Sequence, residues 1–419
     1  MVNKPDYSAL YAREKKVLHI INRIESRGLR WDILKAQQLT RLLNTKIKSC
    51  HKKMSALAGE HNPNSPKQVL AILINLGLSR KQLTEKGSLT TGSAILRRAV
   101  SELPEKHRAK SCIESLLEYR SYSKTVGTYL IPLTKQALSR DGIIRCEINP
   151  VDTITGRMAS RQPNLQNIPK STKNERANPV RSCFICREGY INYYFDYSQM
   201  EMAIFGMYAD EPRILSAYQN GEDLHTYTAS QVYRLPEKKV SDGMRSNCKA
   251  VNFGIIYGEG QRALATNLGW NLIQTRSFLD DYYHTFPSIG RFQWQCKEEL
   301  NEKGYVEDWF GKRYHVPVGQ AYKAVNCLVQ GTCASIFKQA LIKVDSAHHL
   351  MYSDCILLPV HDEIQIEHSH NCTIPEEQWC AAIIDKMVQV DEVTSRGLTL
   401  RVDVAKSTTN WAEKEKIEL

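Results

Sequence analysis

The chain has 419 residues, of which 42% are hydrophobic and 24% charged, which is the composition of an ordinary globular protein with two or three domains or one large body. Lysine and arginine together number 56 against 45 aspartate and glutamate residues, so the net charge is +11 and the pI is near 9.0. This excess favours a polyanionic partner, nucleic acid first, although many basic proteins bind none.

The sequence shows no export signal and no membrane span. The first ten residues lack the apolar segment of a secretory signal, and no stretch approaches the ~18 apolar residues of a membrane helix. The 12 cysteines are scattered, so we expect reduced thiols in a cytosol-like compartment. Cys183 and Cys186 form an isolated C-x-x-C, and His368, His370 and Cys372 lie in a polar stretch. We expect no metal at either group.

The N-terminal part of the sequence predicts helices joined by polar connections. Apolar residues at helical spacing predict long helices over 8–58, the first ending at Gly28. Residues 61–68 and 80–93 are typical of loops, the second of them mobile, and helices resume up to about residue 139.

A run of lysines lies on the second of these helices. Its members are Lys46, Lys48, Lys52 and Lys53. Such a run is usually a solvated helix face, and contact with a nucleic-acid backbone is the alternative.

From residue 143 the pattern changes to short strands interrupted by a helical segment. The predicted elements are a strand within 189–202 that ends in an acidic turn, mainly helices up to 303, a hairpin at 303–317 turning at Gly311, a helix at 320–350, a second hairpin at 356–367, a helix at 375–390 and a final strand at 398–407. Strands, a helical insertion and strands again predict the α+β class rather than a doubly wound sheet.

Two aspartates lie where predicted strands end. Asp196 follows an apolar run, with Glu201 five residues later, and Asp362 lies at the tip of a hairpin with His361 and Glu363. Acidic residues at a hairpin tip are common turn chemistry, which is the simplest interpretation. If the two strands are neighbours in one sheet, both aspartates meet at one edge, where their oxygens suit Mg²⁺ and a phosphate-bearing substrate.

A candidate substrate helix lies between the two aspartates, in RSNCKAVNFGIIYGEG. Arg245, Lys249, Phe253 and Tyr257 recur at every fourth position and form one slowly turning stripe. Cations followed by rings could bind the phosphates, sugar and base of a nucleoside triphosphate. The alternative is an amphipathic helix with a solvated start and a packed end. A glycine after each ring favours the first interpretation, because glycine within a helix is costly unless something approaches closely.

These motifs resemble those of the family A DNA polymerases, which are similar to bacterial DNA polymerase I. The helix just described resembles the family's motif B, DYSQMEM (196–202) resembles motif A, and VHDE (360–363) resembles motif C. Further similar segments are TGRMASRQPNLQNIP (155–169), EDLHTYTAS (222–230), VNCLVQGT (325–332) and, in the thumb, NPNSPKQVLAIL (62–73). The resemblance spans nearly the whole chain, in the family's order.

The resemblance implies a DNA-templated DNA polymerase that extends a primer 3′-hydroxyl with dNTPs by two-metal nucleotidyl transfer. It implies a right-hand fold with a palm sheet, helical fingers and a helical thumb. The expected domains are an N-terminal segment and thumb at 1–140, the first part of the palm at 141–205, the fingers at 206–312 and the second part of the palm at 313–419.

By the same resemblance, the catalytic residues are Asp196, Asp362, Glu363 and Lys249. Asp196 and Asp362, with the main-chain carbonyl of Tyr197, would bind two Mg²⁺ ions, for which Mn²⁺ can substitute. Lys249 would give a proton to the leaving pyrophosphate, and Glu363 would support the metal or the primer end.

The dNTP-binding residues that the resemblance implies are Glu201, His225, Arg245, Lys249, Phe253 and Tyr257. The cations and the histidine would contact the triphosphate, and the rings would lie against the sugar and the templating base. Glu201 would be a steric gate that excludes a ribose 2′-hydroxyl.

The DNA-binding residues that the resemblance implies are Arg157, Asn164, Gln166, Asn326, Gln330 and His361. All but His361 would contact the minor-groove side of the new pair, where acceptors are common to every correct pair. His361 would position the primer end, or is simply a hydrogen-bonded turn residue. The lysines of the thumb would contact phosphates. The expected partners are primer–template DNA and dNTPs, bound by a monomer without a membrane, in a bacterial or phage-infected cytoplasm or nucleoid, or in an organelle.

The sequence departs from the family pattern at two places. Met202-Ala203 stands where Leu-Arg is frequent, and Tyr322-Lys323 stands where an arginine is usual. The chain begins near the thumb and contains no Asp-x-Glu, so we expect no exonuclease activity. The thumb has no long insertion for a processivity factor, so we expect short, distributive synthesis.

Three other functions compete with this interpretation. A single-subunit RNA polymerase shares the Arg-x₃-Lys helix and both aspartates, but Glu201 and the lack of a promoter-recognition domain argue against it. A DNA clamp without catalysis would have no chemical need for Asp196, Asp362, Lys249 and Tyr257 together. A metal phosphohydrolase would need further histidines and aspartates at helical spacing, which are not found.

Overall fold

The computed structural model describes residues 7–418 except 86, 170–178, 318 and 352–354. Residues 1–6, part of the segment examined for an export signal, lie outside this range. The helices are α1 (Ser8–Arg27), α2 (Ile33–Ala58), α3 (Pro66–Asn75), α4 (Ser93–Glu102), α5 (Arg108–Lys124), α6 (Ile131–Leu138), α7 (Met200–Tyr208), α8 (Pro212–Gln219), α9 (Leu224–Tyr233), α10 (Asp242–Ile256), α11 (Gln261–Leu268), α12 (Leu272–Thr285), α13 (Pro287–Lys303), α14 (Ala324–Met351), α15 (Glu376–Val388) and α16 (Asp391–Thr394).

The strands are β1 (Leu29–Arg30), β2 (Thr84–Glu85), β3 (Ser88–Leu89), β4 (Ile143–Ile144), β5 (Glu147–Asn149), β6 (Ala159–Arg161), β7 (Tyr190–Tyr197), β8 (Val306–Glu307), β9 (Arg313–Tyr314), β10 (Cys355–Val360), β11 (Glu363–Ser369), β12 (Val402–Ser407) and β13 (Glu415–Ile417). A π-helical turn at Thr125–Leu130 joins α5 to α6, and 3₁₀ turns lie at Pro179–Cys183, Glu237–Lys239 and Ala321–Lys323.

The N-terminal helices form where the sequence predicts them. Gly28 ends α1 with φ +68°, a left-handed conformation that favours glycine. Asp32 then starts α2 by accepting a hydrogen bond from the Lys35 N–H at 2.8 Å. Helices α2–α5 enclose a small core of their own, which includes Leu73, Leu96 and Ile113, separate from the large core of the rest of the chain. The predicted connection at 80–93 differs from a simple loop, since it contains the β2–β3 hairpin.

A five-stranded antiparallel sheet forms the centre of the described structure, in the order β10-β11-β7-β12-β13. Helix α15 covers one face through Trp379, whose ring centre is 4.7 Å from that of Tyr193 and 5.7 Å from that of Phe195. Helices α7–α13 lie between β7 and β10 in the chain, so the predicted helical insertion between strands is confirmed.

Three details differ from the sequence-based elements. Strand β7 ends at Tyr197 and α7 begins at Met200, so Glu201 lies in the first turn of a helix rather than in a turn between strands. The last predicted strand begins only at Val402, and β13 follows it as a sheet edge that the pattern did not predict. The hairpin at 303–317 is confirmed, with Gly311 at φ +77°.

Candidate functional site

The sheet brings the two predicted aspartates to one edge. Glu363 at the start of β11 is the direct cross-strand partner of Asp196 near the end of β7. The Tyr197 N–H donates to the carbonyl of Asp362 at 3.1 Å, which fixes the turn before β11 against the end of β7. His361, in the same turn, has φ +55° and an exposed side chain. The antiparallel pairing of β11 with β7 therefore places Asp196 and Asp362 at the same edge of the sheet, which is what the sequence predicted for neighbouring strands.

Both aspartates line a cavity of about 430 Å³ between the sheet and the helical insertion. The residues lining it are Arg157, Arg181, Asp196, Tyr197, Gln199, Met200, Glu201, Met202, His225, Lys249, Phe253, Tyr257, Val360, His361, Asp362 and Glu363. Most of the predicted catalytic and dNTP-binding residues are among them. Arg245 and four of the predicted DNA-binding residues are not: Asn164, Gln166, Asn326 and Gln330.

Glu363 and Tyr197 hold positions that limit what each can do. Glu363 belongs to β11 rather than to the hairpin tip, is buried, and accepts hydrogen bonds from Lys414 at 2.6 Å and from Gln365 at 2.9 Å. The Tyr197 hydroxyl donates to the carbonyl of Met387 at 2.6 Å, and burial raises its pKa well above the ordinary value. The Tyr197 hydroxyl is therefore not available to a metal, and the role of the Tyr197 main-chain carbonyl as a ligand stays a prediction.

The donor chemistry at this edge fits a hard divalent cation. Asp196 and Asp362 are half-buried carboxylates in one cavity, and oxygen is the ligand that Mg²⁺ prefers. Within the described ranges no group of three or more histidine, cysteine, aspartate or glutamate side chains is arranged to hold a metal. Water or substrate oxygens would have to complete the coordination, as is usual for Mg²⁺ bound through one or two carboxylates and phosphates.

The cysteines of the C-x-x-C motif are poor candidates for reactive thiols. Burial raises the pKa of Cys183 to about 12 and that of Cys186 to about 11. Both remain protonated at neutral pH, and metal binding or nucleophilic attack needs the thiolate.

The predicted stripe of cations and rings lies on a single helix, α10. Ser241 starts this helix by accepting a hydrogen bond from the Met244 N–H, and Tyr257 is the residue that ends it. The Lys249 ammonium is 6.0 Å from the ring centre of Phe253, and that ring is 5.7 Å from the ring of Tyr257. This helix presents one cation and two rings to the cavity, in the order that the sequence predicted.

Arg245 makes an ion pair at the start of the same helix. Its guanidinium donates to both carboxylate oxygens of Asp223, at 3.1 and 2.6 Å. Burial tends to raise the pKa of Asp223, but the hydrogen bonds from Arg245 and Thr226 outweigh it and lower that pKa to about 2. The side chain of Arg245 is therefore directed to α9, whose first turn Asp223 also caps.

Gly254 and Gly258, which follow the two rings, have a structural explanation. A Cβ on Gly254 would lie 2.5 Å from Cδ2 of Leu264 in α11, and a Cβ on Gly258 would lie 2.3 Å from the carbonyl oxygen of Tyr322. Gly258 also has φ +70°. The close approach that the sequence indicated is made by the chain itself, so these glycines are not evidence for a ligand.

Glu201 is the centre of a hydrogen-bond network at the floor of the cavity. It is buried and accepts hydrogen bonds from the Tyr257 hydroxyl at 3.2 Å and from Gln330 at 3.3 Å. It also pairs with Arg157, whose guanidinium lies 3.7 Å from Asp362. Burial, together with the charge of Glu201, raises the pKa of Tyr257 to about 12, so this hydroxyl remains a donor at neutral pH. The network connects α7, α10 and α14 to the sheet edge that carries Asp362.

His225 is buried on α9 beside this network. Its Nδ1 lies 3.2 Å from Nδ2 of Asn252, whose Oδ1 accepts from the Tyr282 hydroxyl at 3.0 Å. That arrangement makes Asn252 a donor to Nδ1, so the proton of the neutral imidazole is on Nε2. Burial lowers the pKa of His225 to about 4, against the opposing effect of Asp223. A neutral hydrogen-bond donor, rather than a cation, lines the cavity here.

Of the six predicted DNA-binding residues, Arg157 and His361 line the cavity and the other four lie outside its lining. Gln166 is buried, accepting from the Ser160 N–H and donating to the Pro359 carbonyl, both at 3.1 Å. It links the loop after β6 to β10. Asn164 accepts from the N–H of Asn167 within its own loop at 3.1 Å.

Sequence reasoning missed four residues near the carboxylates: Arg181, Gln199, Asp403 and Lys414. Arg181, Asp403 and Lys414 come from other parts of the chain, where no local motif indicates them, whereas Gln199 lies within the segment DYSQMEM (196–202). Arg181 is buried, donates to the carbonyl of Ile168 at 2.8 Å and lies 4.3 Å from a ring centre of Trp411. The alternating charges of EKEKIEL at the C-terminus were the one available signal for Lys414, since alternation is typical of a strand.

A second cavity of about 410 Å³ shares part of this edge. Its lining includes Asp196 and Glu363 of the first cavity, together with Asp403, Lys414 and Lys416.

No helix within the described ranges is long and apolar enough to cross a membrane.

Comparison with known proteins identifies the fold and the family pattern. Residues 34–413 match the description "DNA polymerase family A". The chain is 32% identical over 367 residues to the thermostable DNA polymerase I of Thermus aquaticus, covering 84% of this chain and 43% of that protein. It is 33% identical over 383 residues to DNA polymerase I of Pseudomonas aeruginosa, covering 88% of this chain and 41% of that protein. The chain therefore spans under half the length of these curated relatives.

A solved structure has the same fold. The polymerase domain of Pol1 from M. smegmatis, in complex with DNA primer-template and dNTP, superposes with a TM-score of 0.84 at 26% sequence identity, covering 95% of this chain and 70% of that chain. This likeness confirms the predicted α+β polymerase fold.

Proposed function

Because the chain belongs to DNA polymerase family A, we propose that it extends the 3′-hydroxyl end of a primer with deoxynucleoside triphosphates on a DNA template. The observation that carries this proposal is the meeting of Asp196 and Asp362 in one cavity with Lys249 and the two rings of α10. Carboxylates for a divalent ion, a cation for phosphates and rings for a base are the groups that nucleotidyl transfer requires.

Asp196, Asp362 and the main-chain carbonyl of Tyr197 would hold two Mg²⁺ ions, or Mn²⁺ in their place. The ions, when bound, lower the pKa of the primer hydroxyl and neutralise the triphosphate. Glu363 supports this site from β11 and is already engaged by Lys414. Its role in the reaction is to hold the sheet edge in place and to keep the charge of that edge balanced.

The side chains of α9 and α10 would bind the incoming nucleotide. Lys249 is exposed, lies over Phe253 and can donate a proton to the leaving pyrophosphate. His225 offers a neutral Nε2–H to a phosphate oxygen. Arg245 can reach the triphosphate only by sharing or releasing Asp223, so substrate phosphate competes with that carboxylate.

Glu201 would select deoxyribose. Its carboxylate is held by Tyr257, Gln330 and Arg157, so the side chain cannot swing away to admit a 2′-hydroxyl without breaking hydrogen bonds. The same network joins Gln330 and Arg157, two of the proposed minor-groove contacts, to the gate. Selection of the sugar and contact with the base pair therefore share one rigid unit.

The thumb, palm and fingers would follow the predicted boundaries of 1–140, 141–205, 206–312 and 313–419. The small separate core of α2–α5 supports an N-terminal unit that can act as a thumb. DNA would lie against Asn164, Asn326 and His361. The expectation that this polypeptide does not degrade DNA stays a prediction. Loss of label from a 3′-labelled primer would contradict it, and Asp362→Asn is the control.

Primer extension tests the proposed function. A labelled primer–template is incubated with Mg²⁺ and either dNTPs or NTPs, with the wild-type chain and with Asp362→Asn. We expect templated dNTP addition that falls by at least ~10³-fold in the variant, because one of two metal-binding carboxylates is lost. Tight DNA binding with no extension in Mg²⁺ or Mn²⁺ would overturn the proposal in favour of a clamp, and preferential NTP addition would favour an RNA polymerase.

A further inference from the structure

Three carboxylates stand side by side across the sheet at the candidate metal site. Asp196 on β7 is the direct cross-strand partner of Glu363 on one side and of Asp403 on the other. Direct partners in antiparallel strands carry their side chains on the same face. Three adjacent negative charges on one face repel each other and would attract cations to the whole row, not only to Asp196.

Each flanking carboxylate is paired with a lysine of the C-terminal segment. Lys414 Nζ lies 2.6 Å from Glu363, and Lys416 Nζ lies 3.1 Å from Asp403. Lys416 is opposite Ala405 in the β12–β13 ladder, so it shares the face of Asp403. The period of a strand places Lys414, two residues earlier, on that face as well.

This segment follows the part of the chain that matches the family. The match to DNA polymerase family A ends at residue 413, and Lys414 and β13 follow it directly. The two lysines thus lie just outside the matched residues, although they contact carboxylates of the candidate metal site.

The two ion pairs differ in burial, which predicts unequal effects. The side chains of Lys414 and Glu363 are 22% and 9% exposed, whereas those of Lys416 and Asp403 are 69% and 53% exposed. Lys414 is also held 3.7 Å from the ring centre of Tyr194. An exposed ion pair is screened by water and contributes little free energy. A partly buried cation holds the carboxylate of its partner in place and determines the electrostatic field around it.

We propose that Lys414 is a positioning residue that keeps Glu363 out of the metal-binding set, so that Asp196 and Asp362 alone supply the carboxylates for divalent ions. The proposal rests on the proposed function for the identity of the site. Without Lys414, the Glu363 carboxylate beside Asp196 becomes an additional ligand and an additional negative charge. The site then binds divalent ions more tightly.

Binding of Mn²⁺ to the full-length chain, without DNA or nucleotide, tests this directly by electron paramagnetic resonance. We expect Lys414→Met to lower the Kd for Mn²⁺ by about five- to fiftyfold, and Lys414→Arg to keep the wild-type Kd. Lys416→Met should change the Kd less than twofold. Lys406→Met is the matched control, because Lys406 lies on the same sheet but pairs with Glu376, a residue of α15 on the opposite face.

The double variant Lys414→Met/Glu363→Gln should return to the wild-type Kd, since the released carboxylate is then absent. An unchanged Kd in Lys414→Met, or an effect equal to that of Lys406→Met, would overturn the proposal. So would a change in primer–template affinity with no change in Mn²⁺ binding, which would make Lys414 a DNA contact. Because this assay needs no turnover, a chain without polymerase activity would still report on Lys414, and loss of Mn²⁺ binding in Asp196→Asn identifies the site itself.

Discussion

At the scale of single residues, His225 shows how burial determines the chemistry that a side chain can perform. Helix α9 buries it against Asn252, and the nearby cations Lys249 and Arg245 disfavour a further positive charge. Its pKa of about 4 keeps the imidazole neutral at neutral pH. A contact with phosphate is therefore a hydrogen bond and not an ion pair.

The lowered pKa of His225 predicts a stability that falls on acidification. The unfolded chain binds the proton near pH 6.5, well above the folded value, so the unfolded state is favoured progressively as the pH falls from 6.5 towards 4. Between pH 7.5 and 5.0 we expect the wild type to lose about 2 kcal/mol more free energy of unfolding than His225→Asn. Urea denaturation at both pH values measures it. The variant His370→Asn, at an exposed histidine, should behave as the wild type. Parallel losses in wild type and His225→Asn would contradict the burial argument.

Residues that the sequence identified share a local pattern, and three of the four that it missed, Arg181, Asp403 and Lys414, do not. Asp196 and Asp362 each follow an apolar strand, and the stripe on α10 has the period of a helix, so short-range patterning was sufficient for them. Lys414 meets Glu363 only through the register of β11, β7 and β12, three strands that are far apart in the chain. Such a contact cannot be predicted before the strand order is known.

At the scale of elements, the packing of α10 against α11 determines where its stripe of cations and rings points. Gly254 faces Leu264, which is 1% exposed and has little room to move. Gly243, at the start of the same helix, would place a Cβ no closer than 3.8 Å to a neighbouring atom. The two glycines therefore differ in packing while sharing one helix.

We expect Gly254→Ala to destabilise the chain by about 1–3 kcal/mol, because the added methyl group overpacks the contact between α10 and α11. Gly243→Ala should be neutral or stabilising by up to about 1 kcal/mol, as alanine is the better helix former. Thermal denaturation of both variants gives the comparison. Equal effects of the two substitutions would show that Leu264 moves aside. The variant Gly254→Ala should also lose dNTP affinity more than DNA affinity.

Elements were predicted well where the pattern was long and poorly where it was short. Strand β7 and helices α10 and α14 have clear periods over eight or more residues. Strand β13 has three residues with alternating charge and no apolar core signal, and it exists because the β12 edge is available for pairing. Only the assembled sheet supplies that edge.

At the scale of the whole molecule, the net charge of +11 is consistent with binding along a polyanion. The distribution of that charge over the surface decides which part of the chain can bind. The lysine run on α2 does not share one face. Lys48 and Lys52, four residues apart, lie on the side of the helix opposite the buried Cys50, whereas Lys46 lies beside the buried stripe, with its ammonium 5.5 Å from the ring centre of Tyr122. Lys53, seven residues after Lys46, is on the same side as Lys46.

A straight DNA duplex cannot contact both sides of one helix. The pair Lys46 and Lys53 on one side is therefore a control for the pair Lys48 and Lys52 on the other. We expect Lys48 and Lys52 to contact phosphates, because they form the outward face, and each such contact contributes about 0.9 to the slope of log K against log salt. Replacing both with glutamine should lower that slope by about 2, measured by fluorescence anisotropy of a primer–template over several salt concentrations. The Lys46→Gln/Lys53→Gln pair should change it by less than half as much. Lys386→Gln on α15, which covers the sheet face opposite Asp196, should not change it. If neither pair alters the slope, the run is a solvated helix face, and the basic charge that binds DNA lies elsewhere on the chain.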